Sequence, residues 1–299
     1  LLILTVSCAV KPRKTIPFEK VPEVTGAVRL RFQLTVKMDA RLAPRGISFG
    51  PDGSLYVCDR SSRSVLRLNI KDGGKIISRF SGIESRAMGE FMPADVCASG
   101  GVDVFVLDGV NSRIFRLDRD LRNASPVYGG GSGGRGRFGV FLGIAQDTGT
   151  GDIFLSDRSN GAVVRLDPLS GEVRGLGVFG DERWSLREPE GISTDNRGIL
   201  FVADRGLGAV AALTRTGGIL RLLGKDILEA PADVEPLPDG RLAVADRRGV
   251  LILGKNGSAE GLAGYGADRA MQPRSLAYRD GMLYVADALS GSVLVYRVE

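Results

Sequence analysis

The strongest constraint on this chain of 299 residues is an internal repeat. A proline-type turn leads into a short strand. An Asp- and Gly-rich turn follows, then a strand that ends in Asp, then another strand. The first copy reads Pro44-Arg45-Gly46-Ile47, Pro51-Asp52-Gly53, Leu55-Tyr56-Val57-Cys58-Asp59 and Val65-Leu66-Arg67-Leu68. The fifth reads Pro231-Ala232-Asp233-Val234, Pro238-Asp239-Gly240, Leu242-Ala243-Val244-Ala245-Asp246 and Val250-Leu251-Ile252-Leu253. The strand-ending residues Asp59, Asp108, Asp157, Asp204, Asp246 and Asp287 are spaced by 49, 49, 47, 42 and 41 residues. A period in the forties, built from short β-branched and aromatic strands between Gly, Pro and Asp turns, predicts a β-propeller. The 42 glycines, roughly twice the usual share, then serve turns.

Six copies predict six four-stranded blades, with a fourth strand between repeats, as at Lys75 to Ser81, Val173 to Gly180 and Gly218 to Gly224. The sixth copy ends at Glu299 without room for its fourth strand. The alternating stretch Val28-Arg29-Leu30-Arg31-Phe32-Gln33-Leu34-Thr35-Val36 has no other partner. It is expected to supply that strand, closing the ring and covering edges that would otherwise pair with other chains. The propeller is thus assigned to residues 27–299.

Two segments precede it. Residues 1–8, Leu1-Leu2-Ile3-Leu4-Thr5-Val6-Ser7-Cys8, read as the end of a secretory signal peptide. Cys8 after Val6-Ser7 resembles a lipoprotein lipobox, although Thr5 stands where Leu is usual. Residues 9–26, with Lys11, Pro12, Arg13, Lys14, Pro17, Lys20 and Pro22, read as an extended tether. Together they predict a lipid-anchored protein of the bacterial cell envelope, touching membrane through its anchor alone. The other reading is an irregular apolar N-terminus packed on the fold. Cys58 and Cys97 lie inside apolar strands and read as small buried hydrophobes, with a disulfide between them left open.

The pattern Pro-x-Gly-Ile, Leu-Tyr-Val-x-Asp and Arg-Ile resembles the NHL repeat family over residues 27–299. The resemblance implies a fold and leaves function open. Six equivalent aspartates argue for a turn device, because an Asx side chain accepts backbone N–H bonds. A site is expected where copies differ. The residue after the proline-type position should face the mouth of the central channel. Around the ring it is Arg45, Ala94, Leu142, Glu190, Ala232 and Arg274. The next position is Asp95 in blade 2 and Asp233 in blade 5, which lie opposite each other. After the strand-ending Asp come Arg60, Arg158, Arg205 and Arg247 in four copies. Arg63, Arg113 and Arg248 lie close by. A partial ring of guanidiniums would focus positive potential on one face. Two readings stand: docking of an acidic protein, an anionic small ligand or a glycan, or pairing with acidic neighbours inside each turn.

The chain contains no histidine. That removes Ser–His–Asp triads, His-ligated metals and the histidine-dependent propeller lyases. Propeller lactonases of the gluconolactonase type hold a divalent metal with Glu, Asn and Asp near the channel. Arginines and apolar residues stand at several of those positions here, so no metal and no cofactor is expected. Catalysis by Asp95, Asp233 or Glu190 stays open as an alternative: a hydrolase or lyase using a carboxylate or a divalent metal in the channel. Gly129-Gly130-Gly131-Ser132-Gly133-Gly134-Arg135-Gly136-Arg137 lacks the Lys-Ser/Thr of a phosphate loop and reads as a connection between blades. Net charge is +5, with 32 Arg and 8 Lys. The tether alone carries +2 of it. Nucleic acid is therefore not an expected partner. The primary expectation is a non-enzymatic binding or scaffold propeller.

Overall fold

A computed structural model describes residues 23–36, 42–82, 90–98, 100–101, 103–129, 139–176, 185–247, 249–264 and 271–299. Cys8, most of the tether, Arg135, Arg137 and Arg248 lie outside the described residues. The chain forms six sheets of four antiparallel strands, the blades of a propeller. Going round, the innermost strands are Pro44–Phe49, Pro93–Cys97, Phe141–Gln146, Pro189–Thr194, Asp233–Pro236 and Pro273–Arg279. Each is followed outward by the strand that ends in Asp.

Those second strands carry near-continuous apolar runs for a physical reason. Ser54–Asp59, Leu200–Asp204 and Leu242–Asp246 are buried at every position, because neighbouring blades cover both faces. Apolar packing is divided accordingly into six clusters. Each joins one blade to the next, as Tyr56, Cys58 and Val65 of blade 1 meet Val96, Val106 and Phe115 of blade 2. Cys58 and Cys97 are both buried, and no disulfide joins them.

The ring closes as the spacing predicts. Leu30–Val36 pairs antiparallel with Ser292–Val298 and is the outermost strand of blade 6. The register slips between Phe32 and Leu34, so Gln33 is a bulge. Val28 falls outside the strand yet is buried, packing between blades 5 and 6. The segment before the strand follows the outer edge of blade 5, where Thr25 N donates to Ala259 O at 3.1 Å and Val28 N to Glu260 O at 3.1 Å. The fourth strand of blade 4 is Ile219–Leu223, one residue shorter at each end than expected; in blade 3 the described strand is Val173–Leu176, and residues 177–180 lie outside the described residues.

Candidate functional site: the channel mouth

The six strand-ending aspartates build the frame of the mouth. All are 0 to 1% exposed. Each accepts from the segment leading into its own blade's inner strand, and Asp59, Asp108, Asp157, Asp204 and Asp287 also accept from the turn that follows. Asp204 takes Arg187 N at 2.7 Å, Glu188 N at 3.0 Å and Leu207 N at 3.0 Å. Asp59 takes Ala43 N at 2.6 Å and Ser62 N at 2.7 Å. Asp287 takes Gln272 N at 2.6 Å and Ser290 N at 3.0 Å. The carboxylate is therefore a clip between two loops of the mouth face. Its backward reach of some sixteen residues is what local turn chemistry does not predict.

Inside this frame the inner strands approach each other closely. A Cβ on Gly46 would lie 2.5 Å from Asp95 Cα, and one on Gly191 would lie 2.7 Å from Asp233 Cα. Glycine in blades 1 and 4 thus makes room for aspartate in blades 2 and 5. Both carboxylates are tied to backbone. Asp95 accepts Val96 N and Ile144 N, each at 2.9 Å, which joins blade 2 to blade 3. Asp233 accepts Val234 N at 2.9 Å and Leu276 N at 2.8 Å, which joins blade 5 to blade 6. Ser275 Oγ accepts Ile47 N at 3.1 Å and joins blade 6 to blade 1. Ser156 Oγ accepts Gly143 N at 2.8 Å and donates to Glu190 O, joining blades 3 and 4. Asp95 and Asp233 are thus struts at the channel waist. Burial first, then the Asp233 carboxyl, pushes Asp95 well above the usual range. Burial raises Asp233 to about 7, against the backbone donors that lower it.

Above the waist is a funnel of about 160 Å³. Arg45, Ala94, Leu142, Glu190, Ala232 and Arg274 all line it, as do Asp95, Asp233, Arg158 and Arg205. Arg60 and Arg247 do not line it; both are exposed. The two halves of the funnel differ. On the side of blades 3 and 4, Arg158 pairs with Glu188 at 3.0 Å and Glu190 at 3.3 Å, while Arg205 stands 3.7 Å from Glu190. For these two arginines, pairing with acidic neighbours is what the structure shows. Glu188, absent from the sequence-based site, precedes the inner strand and has no counterpart in the other copies.

On the side of blades 6 and 1 the arginines lack such ion pairs among the described residues. Among the described residues, Arg45, Arg60 and Arg274 make no side-chain hydrogen bond or ion pair, and Arg274 Nε is buried without a partner. Burial lowers the Arg45 pKa and the guanidiniums of Arg274 and Arg60 lower it further, against a smaller opposing pull from the carboxylates of Glu190 and Asp95. Unsatisfied buried donors on mutually repelling cations are costly in water and favourable once an anion sits between them. The same cations oppose a divalent metal. Among the described residues no three His, Cys, Asp or Glu side chains are grouped to hold one.

No protein-family model matches the chain, and no curated protein matches its sequence. Solved structures do match in fold. A streptogramin B lyase superposes with a TM-score of 0.66 at 12% identity, covering 91% of this chain and 98% of that one. A catalytically inactive His-to-Ala variant of virginiamycin B lyase from Staphylococcus aureus, with quinupristin, gives 0.64 at 12% identity, over 90% and 99%. A chain of a nidogen/laminin complex gives 0.59 at 19% identity, over 85% and 87%. These likenesses establish a six-bladed propeller.

Proposed function

We propose that this protein is a non-enzymatic binding propeller of the NHL type, and that its channel mouth docks an anionic group carried by a protein, small ligand or glycan. The observation that carries the reading is the open half of the funnel. Arg45 and Arg274 converge there without an ion pair or side-chain hydrogen bond among the described residues, next to exposed Arg60. Planar guanidinium forks suit carboxylate, sulfate and phosphate oxygens. A funnel of about 160 Å³ admits one such group and not a whole polymer, so the remainder of the partner lies on the rim. A location in the bacterial envelope on a lipid anchor is part of the same proposal, supported by the apolar leader and the lipobox-like Cys8.

Two comparisons bear on the choice between binding and catalysis. The virginiamycin B lyase variant is inactive with a histidine replaced, and this chain has no histidine to supply. The nidogen/laminin match is to a protein complex, a use of the same fold in recognition. The test is binding of a fluorescent oligoglutamate and of a sulfated glycan fragment, read by anisotropy. Arg45→Glu/Arg60→Glu/Arg274→Glu should weaken at least one of them tenfold or more at unchanged Tm. Equal binding of both probes by wild type and variant refutes the reading.

A further inference from the structure

The mouth face does not hold the most spacious cavity described. On the opposite face, between blades 4 and 5, lies a cleft of about 650 Å³, larger than the funnel and larger than the 200 Å³ channel below the waist. It falls in the size range of sites for small organic ligands. Its lining is divided by polarity. Ile199, Phe201, Leu220 and Leu237 give an apolar side. Leu220 is 54% exposed there, an apolar side chain only half covered by protein.

The polar groups converge at the two ends. At the inner end stands Glu235, which lines both the cleft and the channel, together with Thr194 and Tyr278. Glu235 Oε1 accepts Tyr278 N at 3.1 Å. Its other oxygen has no partner among the described residues. Burial, with Asp233 nearby, raises this carboxyl to about 8, so near neutral pH it is chiefly an uncharged acid. It therefore offers a donor and repels no anion. At the rim the turn after the blade 4 inner strand presents Arg197, whose side chain is 78% exposed and comes no closer than 3.9 Å to Asp195. Asp195 Oδ1 accepts Arg197 N and Ile199 N, each at 2.9 Å, and Oδ2 is the oxygen that stands near Arg197 Nε. The other two cationic linings are engaged: Arg241 with Asp239 and Arg221 with Lys255 O at 2.9 Å.

We propose that this cleft is a second binding site, for a small organic acid with an aromatic or alicyclic body, whose ring lies on Leu220 and Phe201 and whose anionic group meets Arg197. The site is independent of the mouth, being on the other face and built from other residues. A polymeric anion does not fit the description, because one loosely held cation faces a mostly apolar wall.

The probe is 8-anilinonaphthalene-1-sulfonate, which carries both features, titrated into the purified full chain with fluorescence and calorimetry. One saturable site per chain is expected. Leu220→Asp and Arg197→Glu change exposed side chains, and each should weaken the probe at least tenfold with Tm unchanged. Arg45→Glu/Arg274→Glu should leave it alone. Unsaturable binding overturns the proposal, as does wild-type affinity in both cleft variants. Loss of the probe only in the mouth variant also overturns it, and moves the anion to the funnel.

Discussion

At the residue scale, position in the repeat decides what a carboxylate does. The strand-ending aspartates accept from backbone of the loops that meet at the mouth, and removing one orphans several N–H groups at once. Asp204→Ala should therefore cost about 3 kcal/mol or more, read by urea unfolding. A loss below 1 kcal/mol would show that water replaces the carboxylate. The channel carboxyls act in the opposite sense. Asp233 rises from 3.8 to about 7 and Glu235 from 4.5 to about 8. Between these limits the folded chain holds protons that the unfolded chain has released. The contribution of these two carboxyls to stability therefore falls as pH rises from about 4 to about 8. Thermal melts across that range test this. Glu235→Gln keeps the acceptor for Tyr278 and removes the titration. At pH 8 it should raise Tm by about 2–4 °C, an advantage that shrinks as the pH is lowered toward 4. A profile for this variant parallel to wild type would assign the slope elsewhere.

At the scale of elements, close approach of inner strands sets the sequence. Gly46 faces Asp95 and Gly191 faces Asp233, so the alternation of Gly and Asp between neighbouring blades follows from backbone distance. Gly46→Ala and Gly191→Ala should each destabilise by about 1–3 kcal/mol through overpacking. Unchanged unfolding midpoints would mean that the waist yields. Strand Leu30–Val36 offers a larger test. Deleting residues 27–37 removes buried Val28 and Val36 and bares the edge of blade 6. The product should aggregate or lose its cooperative melt, whereas a deletion variant with wild-type Tm would deny the closure. Strands, blade number and closure were legible because each repeats or completes a pattern of period 2 inside a period in the forties. The funnel lining was legible for the same reason: one register position in six copies points one way. The partners of the arginines were not. Arg158 meets Glu188 and Glu190 thirty residues later in sequence, across a blade boundary, and no local rule encodes that contact. The cleft beside Arg197 was hidden too, since it arises from the gap between two blades and not from a motif.

At the scale of the whole molecule, the ring turns small differences among equivalent positions into a polarised surface. Blades 3 and 4 bring acids to their arginines, and blades 6 and 1 do not. The net charge of +5 is modest, but Arg45 and Arg274, which make no ion pair among the described residues, meet at one side of one opening. That asymmetry is the central claim, and one comparison tests it directly. The affinity of a labelled oligoglutamate is measured for Arg45→Glu/Arg274→Glu and for Arg158→Glu/Arg205→Glu in the same buffer. Both variants reverse two arginines, so net charge changes equally. Binding should fall at least tenfold in the first and by no more than about threefold in the second. Equal losses would show that only overall charge matters, and a larger loss in the second would place the site on the paired half.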